Sequence, residues 1–252
     1  NSATRYRVAA FDLGSRKLTD FAPQVDNRVV MTIAVAPDGN GLAIGGSFTS
    51  VNSSADPGYG MAILENDGSL RHNNASSVVR GAGAWASVMS VKADEQGLYT
   101  ASYSQTGSFE GVMRLNWKTG DIDYMADCHG DTYDVLPTND VIYIASHTHD
   151  CSNIGGFADG EENGKYHHAV GFSSTATGTV QRNKVWGYTD FEGQPAPTQY
   201  NGFLPGFQIG EYSGLSQAVW TVEGNSQYLV YGGEFVAVNG TKQQGLVRFA
   251  AS

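Results

Sequence analysis

The fold class is decided by the stretch Thr32-Ile33-Ala34-Val35-Ala36-Pro37-Asp38-Gly39, followed by Leu42-Ala43-Ile44-Gly45-Gly46-Ser47-Phe48. Each half is apolar, and the Pro-Asp-Gly between the halves is a typical turn sequence, because proline fixes φ and glycine tolerates a positive φ. The pattern predicts two antiparallel β-strands joined by a tight turn and closed by a pair of small residues.

This hairpin pattern returns three more times along the chain. The copies are residues 87–91 with 98–103, 132–136 with 141–147, and 218–222 with 228–235. A short strand that ends in an aromatic residue or leucine follows each hairpin, and the unit recurs about every 50 residues. Four short strands per unit are typical of a β-propeller blade, whose two faces are buried by stacking against neighbouring blades.

We therefore predict an all-β protein, a β-propeller with four-stranded antiparallel blades, forming one domain over residues 1–252. The blade units are residues 1–28, 29–79, 80–127, 128–213 (with a long insertion at 187–213) and 214–252. Since the first and last units hold only part of a blade, we expect part of a larger propeller with unpaired edges or a partner segment completing them. The alternatives are a β-solenoid, whose rungs are shorter, and a β-sandwich, which does not repeat at this period.

Composition narrows the function classes. The chain has 32 glycines, 16% charged residues and a formal net charge of −10. A surface with this charge repels phosphate backbones and anionic lipids, which argues against nucleic-acid and membrane-surface binding. No apolar run approaches the roughly 20 residues that span a bilayer. Low charge with many small polar residues is typical of an exported protein, so we expect an extracellular or cell-surface location.

Two cysteines, Cys128 and Cys151, are expected to form a disulfide in that setting, the alternative being two buried thiols. A hairpin turn at residues 139–140 also sets a register that opposes Leu136 to Tyr143, Thr132 to His147, and Cys128 to Cys151. Directly opposed cysteines satisfy the geometry of a disulfide when their Cα atoms lie near 5.5 Å.

Histidines and aspartates flank these cysteines. Alternation puts His147 and His149 on one face of the hairpin and His129 and Asp131, with Asp150, on the other. Two histidines two positions apart on a strand can hold zinc or another transition metal if a third ligand, such as His167 or His168, converges. The alternative is that these are surface or turn histidines beside a disulfide.

Two further segments are candidates for binding. The acidic loops 159–163 and 121–127 could bind calcium weakly, although neither has the EF-hand spacing and both could simply be solvated. Apart from calcium, no cofactor is expected. An aromatic loop that begins one residue before the insertion is a candidate ligand-binding loop, which could stack on a sugar or dock a neighbouring protein, or else could plug the propeller. Its residues are Trp186, Tyr188, Phe191, Tyr200 and Phe203.

The turn Pro37-Asp38-Gly39 with Gly45-Gly46-Ser47-Phe48 and Val51-Asn52 resembles the delta-60 repeats of secreted bacterial β-propellers. Gly232-Gly233-Glu234-Phe235 with Val238-Asn239-Gly240 is a second matching copy, whereas Ala101-Ser102-Tyr103 and Ala145-Ser146-His147 depart from the Gly-Gly-x-Phe core. The resemblance implies a module of a large surface protein, with immunoglobulin-like or lectin-like neighbours. It implies no general catalytic signature, and fold analogy alone does not set function.

We find no nucleophile elbow, phosphate loop or zinc-protease motif in the sequence. The sequence therefore favours a non-catalytic binding or structural module of a bacterial cell-surface protein, with other domains or chains, or a glycan, as partners. The alternatives are a metal-dependent extracellular enzyme that uses the His147/His149 face, and a carbohydrate-binding, lectin-like propeller.

Overall fold

The computed structural model describes residues 4–79, 85–105, 107–159 and 166–250. Strands dominate this part of the chain. A short α-helix, α1 (Ala75–Val79), and a 3-10 turn at Ser152–Ile154 interrupt them. The expectation of an all-β protein is confirmed. Within the described ranges, no helix is long and apolar enough to cross a membrane.

The described strands are, in chain order, β1 (Val25–Asp26), β2 (Val30–Val35), β3 (Leu42–Gly46), β4 (Ser50–Val51), β5 (Met61–Leu64), β6 (Leu70–Arg71), β7 (Ala86–Asp94), β8 (Gly97–Ser104), β9 (Gly111–Leu115), β10 (Ile122–Asp127), β11 (Thr132–Pro137), β12 (Val141–Thr148), β13 (His167–Ser173), β14 (Gly178–Thr179), β15 (Pro195–Ala196), β16 (Phe207–Gln208), β17 (Val219–Gly224), β18 (Tyr228–Gly233), β19 (Ala237–Val238), β20 (Thr241–Lys242) and β21 (Leu246–Ala250).

Four antiparallel sheets contain most of these strands. Sheet 1 has the order β2-β3-β5-β6 and sheet 2 the order β7-β8-β9-β10, so both have the four strands expected of a unit. Sheet 3 (β11-β12-β13) and sheet 4 (β17-β18-β21) have three strands each in the described residues. In sheet 3 the fourth position is reduced to a single bridge between Phe172 and Gln199.

The same β-bulge interrupts the first strand of each of these four sheets. The unpaired residue is Met31 in β2, Met89 in β7, Tyr133 in β11 and Trp220 in β17. One extra residue on one strand bends it and increases its twist. Because the bulge recurs at the same point of each hairpin, the repeat seen in the sequence is also a repeat of backbone structure.

The first strands of the four sheets lie side by side, so we call them the inner strands. β2 packs on β7, β7 on β11, and β11 on β17. Comparable packing between β17 and β2 is not found among the described residues, so the four sheets form an open arc. Lys92 on β7 makes an ion pair with Glu223 on β17, which shows that the arc curves tightly enough to bring alternate inner strands together.

The residue after each bulge connects neighbouring sheets. Thr32 Oγ1 accepts a hydrogen bond from the Val91 N–H (3.0 Å), and Asp134 Oδ2 accepts one from the Val222 N–H (3.0 Å). Ser90 Oγ donates to Asp134 Oδ1 at 2.6 Å. These bonds fix the height of one sheet relative to the next, because a buried donor left unpaired is costly.

The second glycine of the Gly-Gly-x-Phe motif lies where the chain passes very close to the strand beside it. A Cβ added at Gly46 would lie 2.1 Å from the Val29 carbonyl oxygen, and one at Gly233 would lie 1.9 Å from the Ala218 carbonyl oxygen. The motif phenylalanines, Phe48 and Phe235, are buried. The motif is therefore structural: its glycine allows the close approach and its aromatic ring fills the core.

The asparagine that ends the motif binds the preceding segment in both copies. Asn52 Oδ1 accepts from the Gln24 N–H and Asn239 Oδ1 from the Gly206 N–H, each at 2.8 Å. The two-stranded sheets β1-β4 and β16-β19 lie directly beside these two hydrogen bonds. Residues 24–26 and 206–208 thus have the same place relative to sheets 1 and 4, and the end of the predicted insertion is part of the repeat.

Candidate functional site

Cys128 and Cys151 form a disulfide with their Cα atoms 4.3 Å apart, as predicted. The predicted opposition of Leu136 to Tyr143 is also correct. The predicted pairing of Thr132 with His147 is wrong, because the bulge at Tyr133 shifts the register and pairs Thr132 with Ser146. A second irregularity restores the register at the His129–Asp150 bridge, next to the cysteines.

These irregularities bring together side chains that simple alternation had assigned to opposite faces. His147 Nε2 lies 3.8 Å from Asp131 Oδ2, and the rings of His129 and His149 have centroids 6.2 Å apart. The predicted separation of His147 and His149 from His129 and Asp131 is therefore not maintained. A strict two-residue period holds only in a regular strand, and this segment is irregular.

His129 forms the buried centre of the site. Its ring is stacked on Tyr188, with centroids 3.8 Å apart and planes 13° from parallel. Neither ring nitrogen has a hydrogen-bond partner in the described residues, and the nearest carboxylate oxygen, on Asp150, is 4.0 Å from Nδ1. Burial lowers the pKa of His129 to about 4, which keeps the imidazole neutral at pH 7.

Two buried carboxyl groups lie close to the same segment. Glu110 Oε2 accepts from the Gly130 N–H at 2.6 Å, and Asp127 Oδ2 accepts from Asn153 Nδ2 at 2.5 Å. Burial raises the pKa of each carboxyl to about 7, because removing the charged form from water is costly. Each hydrogen bond opposes this rise.

The more exposed part of the site begins at His147. Its Nδ1 is 2.9 Å from the Tyr133 hydroxyl and also receives a hydrogen bond from Gln217. Burial lowers the pKa of His147, and the neighbouring Asp131 carboxylate opposes that shift. His149 Nε2 lies 3.1 Å from the Tyr188 hydroxyl, so the two histidines are each connected to a tyrosine.

Tyr166 covers this surface and is 50% exposed. Its ring centroid lies 5.1 Å from that of His147 and 6.2 Å from that of His149. We define the histidine–tyrosine cluster as the group of side chains Glu110, His129, Asp131, Tyr133, His147, His149, Tyr166 and Tyr188. Sequence reasoning missed three of them, Glu110, Tyr133 and Tyr166. Their positions depend on tertiary contacts, and the one available signal was a lone acidic residue between Phe109 and Gly111.

Tyr166 also borders a cavity of about 560 Å³ between the start of β13 and the segments that carry β16 and the β19-β20 turn. His168, Phe207, Ile209 and Asn239 line it with other residues of the same segments. A cavity of similar size lies between the hairpin turns of sheets 1 and 2, beside Arg71. The Arg71 guanidinium is already occupied by Glu65 and by the Trp117 carbonyl, so the cavity beside Tyr166 is the better candidate for a ligand.

The geometry gives the predicted metal site no additional support. No group of three histidine, cysteine, aspartate or glutamate residues in the described ranges is arranged to hold a metal ion. His168 Nδ1 lies 3.1 Å from the Ser146 carbonyl oxygen, and the ring of His167 lies 4.1 Å from that of Phe157. Neither proposed third ligand joins His147 and His149.

The acidic loops are also engaged where they are described. Asp159 Oδ2 lies 3.7 Å from His149 Nδ1, and the rest of the predicted calcium loop 159–163 falls outside the described residues. In the other loop, Asp121 accepts from Asn74, and Asp127 is buried against Asn153.

The five aromatic residues of the predicted ligand-binding loop have different environments. Trp186 is 97% exposed, whereas Tyr188 belongs to the histidine–tyrosine cluster. Phe191 packs edge-on against Phe109, with ring centroids 5.6 Å apart. Tyr200 and Phe203 pack into the core between sheets 3 and 4. Four of the five residues therefore pack against other parts of the chain, and one of them, Tyr188, reaches the candidate site. Whether the loop contacts a ligand stays a prediction.

No family model and no curated protein sequence matches the chain. Among solved structures, the chain is similar to the computationally designed Ika4 protein, with a TM-score of 0.46 and 10% identity over 91% of this chain and 96% of that chain. It is also similar to phage phi92 endosialidase, with a TM-score of 0.41 and 15% identity over 81% of this chain and 30% of that chain. At TM-scores below 0.5, neither similarity establishes a fold or function here.

Proposed function

We propose that the chain is a stretch of β-propeller in a secreted or cell-surface protein and acts as a non-catalytic binding module for glycans. Its ligand site is the histidine–tyrosine cluster together with the adjoining cavity. The observation that carries the proposal is the position of Tyr166, a half-exposed ring between His147, His149 and the cavity.

The propeller assignment is supported by the recurring bulge and by the order of the inner strands. The sheets follow one another in sequence order, each packed on the next, as the blades of a propeller do. Buried Phe48 and Phe235, with Gly46 and Gly233 at close backbone contacts, are consistent with the resemblance to delta-60 repeats. The disulfide is compatible with an exported protein.

The glycan assignment follows from the side-chain chemistry of the site. An aromatic ring with one face open offers apolar surface to the C–H face of a sugar ring. Asp131 and His147 are partly exposed beside it and can accept or donate hydrogen bonds to hydroxyl groups. The net charge of −10 favours a neutral ligand over an anionic one.

The buried groups favour binding over catalysis. Glu110 and Asp127 have the carboxyl groups whose pKa values lie near neutrality, and both are buried. Their hydrogen bonds hold the backbone at Gly130, next to His129, and the 3-10 turn at Asn153. Because both carboxyl groups are buried, we assign them a structural role in holding the site and not a role in contacting the ligand.

A glycan array with the purified protein tests the proposal, followed by calorimetric titration of the best glycan. Tyr166→Ala is expected to weaken binding about tenfold, the value of a lost stacking contact of roughly 1.4 kcal/mol. Tyr6→Ala is the matched control, because Tyr6 is 47% exposed and lies in the first segment of the chain. Absence of any glycan binding at millimolar concentration, or equal loss in both variants, would reject the proposal. A stoichiometric transition metal in the purified protein would instead favour the metal-dependent enzyme.

A further inference from the structure

One residue of sheet 1 is exposed although its counterparts in the other sheets are buried. Ile33 follows the bulge of β2 by two positions and is 53% exposed. The residues at the same position of β7, β11 and β17 are Val91, Val135 and Val222, with exposed fractions of 2%, 0% and 0%. The difference is one of packing, since all four are β-branched apolar residues on the same strand of the repeat.

The direction in which these side chains point is the same in each sheet. Val222 packs in a core shared with Leu136 and Tyr143 of sheet 3, so it faces the preceding sheet. Val135 packs in the core of sheet 2, again the preceding sheet, while its neighbour Leu136 faces sheet 4. By the same geometry Ile33 faces the position before sheet 1. Met31 and Val35 are exposed in the same alternation along β2 as Ile33.

The outer part of this face of sheet 1 is already covered. Val8, Phe21 and Val25 pack against its outer strands, and a bridge between Phe11 and Leu18 shows that this segment turns back on itself. The segment therefore occupies the place of outer strands and leaves the inner strand β2 bare. What is lacking is the inner hairpin of a further sheet.

Sheet 4 presents the complementary face at the other end of the arc. Tyr228 and Leu246 are exposed on the side opposite to its buried core. Thr221 follows the bulge of β17, as Thr32 and Asp134 follow theirs. Its hydroxyl donates to Asp134 at 2.7 Å and keeps lone pairs that can accept an N–H, as Thr32 and Asp134 do from the next sheet.

We propose that a β-hairpin from another polypeptide segment, outside these 252 residues, docks between sheet 4 and sheet 1. The hairpin is of the same kind as the four inner hairpins of the chain, with apolar residues on both faces. One face covers Met31, Ile33 and Val35, and the other packs on sheet 4 with an N–H directed to Thr221. The edge of the segment that carries Phe11 is then available for strand addition to the hairpin. This surface is separate from the glycan site.

Binding of a synthetic peptide with the sequence of residues 218–235, the fourth inner hairpin, tests the proposal on the full chain. Fluorescence anisotropy of the labelled peptide is expected to show saturable binding, and a scrambled peptide none. Peroxide oxidation of methionines, followed by mass spectrometry, reports the location. Met31 is exposed, so bound peptide is expected to slow its oxidation about tenfold, while the buried Met61, Met113 and Met125 serve as internal references.

Ile33→Asp and, separately, Val35→Asp are expected to abolish peptide binding while leaving the circular dichroism spectrum and glycan binding unchanged. Leu215→Asp is the matched control, since Leu215 is a 61% exposed apolar residue outside β2, sheet 4 and the segment that carries Phe11. Because an isolated hairpin is only marginally ordered, the same peptide is also joined to the C-terminus through a flexible linker, which raises its effective concentration to about millimolar.

Failure to protect Met31 in both the free and the linked form would overturn the proposal, as would equal binding to Ile33→Asp. Light scattering of the protein alone distinguishes a different occupant. A dimer that Ile33→Asp dissociates would mean that a second copy of the chain covers this face, and the hairpin proposal would then be wrong. A glycan result, positive or negative, does not affect these outcomes.

Discussion

The ring of His129 lies flat against the ring of Tyr188, with centroids 3.8 Å apart, although His129 precedes β11 and Tyr188 lies between β14 and β15. The stack buries an imidazole whose two nitrogen atoms have no hydrogen-bond partner in the part of the chain that the structure describes. Such a group reduces stability, because its hydrogen bonds to water are lost and not replaced. The stack therefore holds a polar side chain in a position where an apolar one would be more stable.

Replacing His129 by phenylalanine keeps the stack and removes the unpaired nitrogens. His129→Phe is expected to increase the free energy of unfolding by roughly 1–3 kcal/mol at pH 7, measured by urea denaturation. The gain should grow on acidification. The pKa of His129 is about 4 in the folded protein and about 6.5 when unfolded, so between these values the unfolded state binds more protons than the folded state. The wild-type protein therefore loses stability as the pH falls from 6.5 to 4, whereas the phenylalanine variant has no such loss. A variant less stable than wild type at pH 5 would contradict this.

Glu110 has the opposite pH dependence. Its pKa is about 7 in the folded protein against an ordinary 4.5, so the folded state holds a proton that the unfolded state releases, and stability falls as the pH rises through this range. Glu110→Gln keeps an acceptor for the Gly130 N–H and has no proton to lose. The variant is expected to become more stable than wild type by up to roughly 3 kcal/mol between pH 5 and pH 8 in urea denaturation. The exposed control Glu95→Gln should show no such trend.

Removing the disulfide should destabilise one part of the chain. Replacing Cys128 and Cys151 by serine is expected to reduce the free energy of unfolding by roughly 3 kcal/mol, the value for a loop of this size in the chain-entropy model. Amide exchange should increase mainly in residues 152–159 and leave sheet 1 protected. Peptide mapping without reduction checks the bond itself, and free thiols in the purified protein would contradict both the bond and the proposed extracellular location.

The close backbone approach at Gly46 can be tested by comparing its substitution with that of Gly178, where an added Cβ would meet no other atom. Gly46→Ala places a Cβ 2.1 Å from a backbone carbonyl oxygen, so sheet 1 must shift, and the midpoint of urea unfolding should fall by the equivalent of roughly 2 kcal/mol. Gly178→Ala meets nothing within 4 Å and should change stability by less than about 0.5 kcal/mol. Equal effects in the two variants would show that the close approach at Gly46 does not matter.

Residue pattern alone predicted the hairpins and the pairing of Leu136 with Tyr143, because apolar alternation and turn chemistry are local properties of the chain. It did not predict the bulge at Tyr133. A bulged residue does not differ in type from the other residues of its strand. The bulge is visible only in the register between that strand and its partner. The predicted register was wrong by one residue at Thr132, and it therefore placed His147 opposite the wrong residue.

The candidate site was predicted in part for a similar reason. His129, Asp131, His147 and His149 stand out because they flank two cysteines in sequence. Tyr166 and Glu110 directly precede other strands, β13 and β9. Tertiary packing brings Tyr166 to His149 and Glu110 to the Gly130 N–H beside His129. Trp186, the most exposed residue of the predicted ligand-binding loop at 97%, lies outside the histidine–tyrosine cluster, and its contact with a ligand stays a prediction.

The arrangement of the inner strands also predicts the order in which the sheets unfold. Each sheet is built from consecutive hairpins and packs mainly on the sheets before and after it. Stability in such a stack is close to a sum of intrinsic terms and nearest-neighbour interfaces. Sheets 2 and 3 have an interface on both sides, whereas sheets 1 and 4 have one each. Unfolding should therefore fray inwards from the two ends of the arc, with β7 and β11 the last strands to exchange their amide protons.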